Sequence, residues 1–503
     1  MSKKYDAIVI GAGNGGMTAA TALAQQGMSV LMLERHNVPG GCGTSFRRGR
    51  FEFEVALHQL SGMGTVEQPG PLRGLMMRLG IADDIDWIVM DELYRVVVPG
   101  EVDMTLKADR AAAIAEVQRH FPEEADKVTA FYDLVYMYML QAYQFSKARK
   151  KGADAADYPI YFKYALKNSD EVLAELGLSK RLSTALTGTY WGYMGLPPSK
   201  LPFNLLAGLT FAYIEFKPAH MRGGSQAMSN ALINSFLQHG GEMRFNCGAE
   251  KILVEDGAVV GVRTAAGEDI ACDWVVSNAS VVDTYTRLLD EAVVPEEQFK
   301  VLAGSNVGVS ALCLYIGLDR SPEELGITES LVAISPSLDS DKTYAATRTF
   351  DIANCGIVFS TYTREDAAFS PPGTSQCAAV TLQYSEHWEA LAPEEYNDTK
   401  YRCAAELLKR IDQLYPGFSD HIEEIEIATP ITFMRFLNHP GGAFYGFDQF
   451  VKDSSIFLPP VSPIKGLYAA GAWVGDCGFQ PTLQSGFNAA RAIKNKREKE
   501  AQA

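Results

Sequence analysis

The chain opens on a short unbroken apolar run, DAIVI at residues 6–10, the pattern of a strand buried on both faces. The glycine-rich stretch GAGNGG follows, and then MTAATALAQQ, an alanine-rich helix pattern closed by Gly27. SVLML, residues 29–33, predicts a second strand, and Glu34 comes directly after it. Strand, glycine turn, helix and strand make a β-α-β unit of nucleotide-binding size. Further on, FEFEVAL alternates Phe51, Phe53 and Val55 with Glu52 and Glu54, the period of a half-buried strand.

From about residue 105 to 218 the pattern becomes helical and rich in aromatic residues and methionine, as in FYDLVYMYMLQAYQF (131–145) and FNLLAGLTFAYIEF (203–216). Loops rich in proline and glycine at 195–200 and 217–225 predict a boundary. SQAMSNALINSFLQHGG then predicts a helix. The stretch after it predicts strands around a hairpin turned at Asp256-Gly257, ending in WVVS. Residues 290–464 mix β runs (VSALCLYIGL, CAAVTLQY) with a helix near 394–414, and the last forty return to a strand, a glycine turn and a helix. The fold class expected is α/β: a Rossmann-type domain from 1–104, 219–289 and 465–503, interleaved with an α+β substrate domain from 105–218 and 290–464 under a helical cap.

At 503 residues the chain is long enough for two such domains, and 47% hydrophobic residues exclude a mainly disordered chain. A formal charge of -16 excludes a nucleic-acid partner and predicts repulsion from anionic membranes unless charge is segregated. The cysteines show no C-x-x-C spacing and read as reduced thiols of a cytoplasmic protein. The N-terminus runs straight into the nucleotide motif, so no signal peptide is expected. No apolar run is long enough to span a membrane; the longest, 203–214, would at most lie shallowly in one through Phe203, Leu205, Leu206, Leu209, Phe211 and Tyr213. No metal-ligand spacing occurs among the histidines.

Gly11, Gly13 and Gly16 supply the tight turn, the close backbone approach to a pyrophosphate and the close helix–strand packing that the dinucleotide motif needs. Glu34 stands where a carboxylate binds ribose hydroxyls, and it would repel a 2′-phosphate. The glycine unit alone does not choose between NAD and FAD. PGGCGTSF (39–46) and the C-terminal GLYAAGAWVGDCGFQPTLQSGFNAARAI favour FAD, because both offer backbone to an extended ligand.

These blocks, with FEFEVALHQLSG, MRGGSQAMSNALINSFLQHGG and TPITFMRFLNHPGGAFYGF (429–447), resemble the flavin-dependent family of phytoene desaturases, carotenoid isomerases and retinol saturases, nearest the last branch. The resemblance covers nearly the whole chain. It implies a glutathione-reductase-like FAD domain. The implied cofactor contacts are Gly11, Gly13, Asn14, Gly15, Gly16, Glu34, Arg35, Gly40, Gly41, Cys42, Thr44, Ala249, Asn278, Gly471, Asp476, Thr482, Leu483 and Gln484. This sequence departs from the family at Ala56, where a glycine is usual, at Ala472, where isomerases carry an acid, and at Gln480-Pro481-Thr482.

The activity implied is hydrogen addition or removal across a carbon–carbon bond of an apolar isoprenoid or polyene, with an NAD(P)H or quinone electron partner. A redox-neutral double-bond isomerase, an amine oxidase and a flavin-binding carrier without turnover are the alternatives. For proton exchange the candidates are His58 and Glu54, then Arg435, Tyr445 and Asp476. The segments 131–145 and 203–216 are expected at the wall or mouth of a tunnel. Cys42, with no partner cysteine nearby, reads as a small packing residue beside the cofactor.

Overall fold

A computed structural model of the chain describes residues 4–148, 152–188, 193–450, 462–475 and 478–502. The first strand, β1 (Tyr5–Ile10), leads through the glycine turn into helix α1 (Asn14–Ala24) and strand β2 (Val30–Leu33). The helix starts at Asn14, inside the glycine motif and three residues ahead of the apolar pattern that predicts it. β1 pairs in parallel with β2 and with the strand Asp269–Ser277, which in turn pairs in parallel with Leu467–Ala469. Glu242–Arg244 extends the sheet beyond β2. The hairpin Ala249–Glu255 and Ala258–Thr264 closes the other edge, turned by Asp256 (φ 48°) and Gly257 (φ 73°) as the sequence predicts. The parallel strands are buried, as their continuous apolar runs require.

Above this unit lies a helical cap. Helix α2 (Ala125–Ala148), helix α3 (Pro159–Tyr164) and helix α4 (Phe203–Glu215) join through aromatic contacts. Tyr138 on α2 meets Tyr161 of α3 at 5.5 Å and Phe203 of α4 at 5.3 Å between ring centroids. The face of α4 holding Phe203, Leu206 and Tyr213 is buried in these contacts, so the six residues expected to touch a membrane do not form one exposed face.

A second sheet of seven strands runs in the order Ile422–Ala428, Ser310–Leu318, Ser375–Gln383, Ile357–Thr361, Leu331–Ile334, Glu92–Val98 and Val102–Lys107. Its last two members correct the expected boundary at residue 104. Val332–Ile334 pairs in parallel with Arg95–Val97, so the chain joins the second sheet from Glu92 onward. The sequence hides this because Glu92–Val98 lacks a clean alternation, being buried at most positions. Among the described residues, no helix is long and apolar enough to cross a membrane.

Candidate active site

The two sheets and the cap enclose one long cavity of about 820 Å³. Its inner end is the glycine turn after β1. Asn278, just past the strand Asp269–Ser277, organises that end: its Oδ1 accepts from the Gly16 amide at 3.0 Å. The glycines around it are dictated by space. A Cβ at Gly13 would stand 2.7 Å from Asn278 Nδ2, and one at Gly15 would stand 2.5 Å from the Gly471 amide and 2.6 Å from Asn278 Oδ1. A Cβ at Gly16 would meet the Gly11 carbonyl at 2.0 Å. Glu34 accepts from the Ala12 amide at 2.7 Å and from the His36 amide at 2.7 Å, which ties the end of β2 to the turn.

The PGGCG loop lies alongside. Gly40 bridges to Gly13 and donates to the Ala12 carbonyl at 2.8 Å, with Gly40 and Gly41 at φ 124° and 62°. Such backbone is open to glycine and strained for other residues. Cys42 lines the cavity, and burial, with the Glu54 charge adding to it, pushes its thiol up to about 12. A thiol held protonated is a poor nucleophile, in keeping with a packing role.

Most residues expected at the cofactor come together here. Gly11, Gly13, Asn14, Gly15, Glu34, Arg35, Gly40, Gly41, Cys42, Ala249, Asn278, Gly471 and Thr482 all line the cavity. Gly16 sits behind them in α1. Arg35 also donates to the carbonyls of Arg435 and Phe436. Three expected contacts are turned away. Thr44 donates to Gln226 Oε1 at 2.6 Å, Leu483 is fully buried in the core, and Gln484 donates to Asn488 Oδ1. Asp476 lies outside the described residues.

The proton-exchange candidates separate. His58 lines the cavity, with Ser360 Oγ 2.7 Å and Tyr362 OH 3.5 Å from its Nδ1, and the Tyr193 ring stacked at 6.5 Å. Enclosure lowers its pKa to about 4, so it is neutral at pH 7. Tyr445 lines the cavity, edge-on to Phe444 at 4.6 Å. Glu54 does not reach the cavity wall. It is 2% exposed and sits at the start of helix α5 (Gly224–Gln238), accepting from the Ser225 amide at 2.7 Å, the Ser225 hydroxyl at 2.6 Å and the Leu57 amide at 3.2 Å. Burial raises its pKa to about 6 against those hydrogen bonds, and its place is that of a helix cap. Arg435, on helix α6 (Pro430–Leu437), is exposed and lies over the Phe436 ring, so it too is off the wall.

His439, Gln59, Tyr193 and the turn Phe479-Gln480-Pro481 that opens helix α7 (Phe479–Gln502) also line the cavity. The sequence signals for them are slight: a Pro-Gly-Gly after His439 and a glycine before Phe479.

His220 lies behind the site, 2% exposed, against the rings of Tyr362 and Phe369. Its Nε2 has no hydrogen-bond partner among the described residues, and burial lowers its pKa to about 4. The unfolded chain, with an ordinary value of 6.5, binds this proton more readily, so the contribution is intact above pH 6.5 and is lost as pH falls towards 4. The loss reaches at most about 3 kcal/mol. Glu54, raised in the fold, acts with the opposite sign between about 4.5 and 6. Denaturant unfolding at pH 7 and pH 4.5 is expected to show a smaller acid loss in His220→Phe than in the parent; equal losses would contradict it.

A β-α-β turn stripped of side chains, an acid at the end of the second strand and an enclosed cavity running on from them define a dinucleotide-dependent oxidoreductase built on two large sheets. The chain belongs to the flavin containing amine oxidoreductase family, whose model matches residues 15–494, and it is an FAD-dependent enzyme. It is 25% identical to all-trans-retinol 13,14-reductase of Danio rerio, over 98% of this chain and 86% of that protein. It is also 25% identical to prolycopene isomerase 2 of an Oncidium hybrid cultivar, over 93% of this chain and 80% of that protein. An oxidoreductase of Methanosarcina mazei shares the fold at a TM-score of 0.63 and 17% identity, covering 97% of this chain and 99% of its own.

The cradle fits FAD. Gly13, the residue before α1, makes no side-chain cap, and of the first-turn amides that of Gly16 goes to Asn278, which leaves those of Asn14 and Gly15 for phosphate. Asn14 Oδ1 is buried there with no hydrogen-bond partner among the described residues.

Proposed function

We propose that this protein adds or removes a hydrogen pair across a carbon–carbon double bond of an apolar polyene or isoprenoid molecule. The observation that carries this reading is the chemistry of the cavity beyond the glycine cradle. Its wall is apolar and aromatic: Tyr138, Met139, Leu205, Leu209, Tyr213, Ile334, Val358 and Leu382 among others, with the imidazoles of His58 and His439 set into it. The one carboxylate among the described lining residues is Glu34, at the nucleotide end, so the described wall offers an ammonium group no carboxylate beyond that end. Tyr193 and Tyr213 lie nearly parallel with centroids 6.1 Å apart, a direct ring pair rather than a slot for a substrate between them. Both features weigh against an amine.

The residues that would hold FAD are Gly11, Gly13, Asn14, Gly15, Gly16 and Glu34 for the ADP half, Gly40, Gly41 and Cys42 along the chain, Ala249 and Asn278 beside them, and Gly471 and Thr482 at the C-terminal turn. Bound there, FAD supplies hydride exchange at N5. The chain excludes water with the apolar wall and orients the substrate by shape. His58 manages the proton. Its neutral ring carries one hydrogen, and Ser360 can both donate to and accept from Nδ1, so either tautomer is supported. Saturation draws on an electron donor such as NAD(P)H, and desaturation on an acceptor such as a quinone.

The redox-neutral reading, moving or flipping a double bond, has the likeness to prolycopene isomerase in its favour at equal identity. Product mass separates the two: saturation or desaturation shifts it by about two units and isomerisation leaves it unchanged. Purified protein is expected to be yellow and to convert an apolar polyene under reducing or oxidising conditions. Colourless protein that takes up no FAD would end both readings, and turnover of amines with peroxide release would replace them.

A further inference from the structure

His439 lines the cavity, yet neither the glycine cradle nor the proton chemistry uses it. It follows Asn438, the left-handed residue at φ 57° that ends α6. This stretch is tied down on two sides. Arg35 donates to the Arg435 carbonyl at 2.8 Å and to the Phe436 carbonyl at 2.6 Å, and Asn438 Nδ2 donates to Asp283. The imidazole stands edge-on to the Trp473 ring, with centroids 5.5 Å apart. Trp473 comes two residues after Gly471, whose amide a Cβ on Gly15 would touch. His439 therefore packs on the same C-terminal turn that closes against the start of α1.

The hydrogen bonds of the ring fix what it can offer. Nδ1 lies 2.8 Å from the Ala443 carbonyl, which can only accept, so the hydrogen of the neutral ring sits on Nδ1 and Nε2 carries a free lone pair. Enclosure lowers the pKa to about 4 against that hydrogen bond, and the Arg35 charge adds to the lowering, so the ring is neutral at pH 7. Nε2 has no hydrogen-bond partner among the described residues, and it is not sealed off as His220 Nε2 is; it opens on the cavity. A lone pair turned to the cofactor needs a donor. The diphosphate of FAD offers acceptors only, so it is not the partner. A diphosphate held at the start of α1 is flanked by two hydroxyl-bearing chains, the ribose on the adenine side and the ribityl on the flavin side. Glu34 stands where it takes the ribose, which leaves the ribityl hydroxyls for His439.

We propose that His439 is a cofactor-binding residue whose Nε2 accepts a hydrogen bond from a hydroxyl of FAD, the ribityl chain being the expected source. Ala443 at Nδ1 and Trp473 beside the ring orient it before the cofactor arrives. The role rests on the FAD cradle and not on the reaction proposed above, so a protein that turned over no polyene would keep it.

The test is titration of the full chain, freed of flavin, with FAD and with ADP, in the parent, His439→Asn and His439→Gln. The asparagine amide can keep the donation to the Ala443 carbonyl but does not reach the place of Nε2; glutamine carries an acceptor oxygen there. His439→Asn is expected to bind FAD about threefold to tenfold more weakly, the usual worth of one neutral hydrogen bond, and His439→Gln to recover most of that loss. ADP has the ribose and the diphosphate but no ribityl, so the parent and His439→Asn should bind it alike. An equal loss for ADP would keep the acceptor role and move it to the ribose. The charged and titratable groups that share this end are Glu34, Arg35, His36, Asp283 and Arg287, and they are common to all three proteins. The proposal is overturned if His439→Asn binds FAD as the parent does, or if His439→Gln binds no better than His439→Asn. It is also overturned if the loss tracks a lowered Tm of the flavin-free variants, which makes the residue structural. A parent affinity that rises between about pH 8 and about pH 6, and is flat in the variants, would mean a cationic ring on the diphosphate and would overturn it too.

Discussion

Replacing Gly15 with valine is expected to give protein with little or no bound flavin. The first added carbon would stand 2.5 Å from the Gly471 amide, 2.6 Å from Asn278 Oδ1 and 2.9 Å from Gly471 Cα. Two of these are backbone atoms of the C-terminal turn and cannot swing aside as a flexible side chain would. Behind Gly15 the chain is closed as well: a Cβ on Gly486 of α7 would meet the Gly15 carbonyl at 2.0 Å, so α1 and α7 touch backbone to backbone. The valine therefore wedges apart the glycine turn, Asn278 and the turn that precedes α7, the three parts of the cradle. Overpacking of this kind costs about 1–3 kcal/mol, or about tenfold to a hundredfold in flavin affinity when the strain falls on the site. Visible flavin absorbance per mole of protein measures it. Two companions make the result interpretable. Gly27→Ala introduces strain at φ 77° with open space around it and should retain flavin, and Cys42→Ala should retain it as well. Full flavin content in Gly15→Val would mean that the cradle is not where the cofactor sits.

The cradle was legible in the sequence because close backbone approach has a compositional signature. Gly11 and Gly13 stand between a buried strand and a helix, Gly15 and Gly16 open that helix, and Glu34 follows the next strand; little else explains that spacing. The proton machinery was less legible. His58 and Glu54 are four residues apart and both titrate, yet His58 lines the cavity and Glu54 caps α5, the hydrogen-bonding place its sequence reading favours over that of a base. The side a residue faces after a strand end depends on what packs there, here Ser225 from a helix 171 residues away. Arg435 and Thr44 fail for the same reason. Ser360, the partner of His58, comes from a strand of the second sheet, and no local pattern marks it. The early entry of the chain into that sheet at Glu92 was hidden too. Pairing between residues 92–98 and 331–334 is a long-range fact, and a buried strand leaves no alternation to read.

Replacing His58 with alanine is expected to lower kcat by about 10²–10⁴-fold, the usual contribution of a positioned acid or base, with flavin content unchanged. The ring is held neutral by a pKa lowered to about 4, so over the physiological range it can give or take a proton without first losing a charge to solvent. Ser360 at 2.7 Å fixes Nδ1, and the Tyr193 ring stacks on the imidazole, so the ring is oriented before substrate arrives. Ser360 acts through His58 and is a positioning residue. Ser360→Ala removes one hydrogen bond and is expected to cost roughly tenfold in kcat. It should also move the acid limb of the pH–rate profile, which a purely structural role would not do. A base that must be neutral loses activity as pH falls through about 4, and loss of the Ser360 hydrogen bond to Nδ1 shifts that midpoint. Ser360→Thr, which keeps the hydroxyl, should restore the profile. Measured by single-turnover kinetics on a polyene, a His58→Ala enzyme as fast as the parent would remove His58 from the reaction. Tyr445, the other candidate on the cavity wall, would then be the first residue to replace.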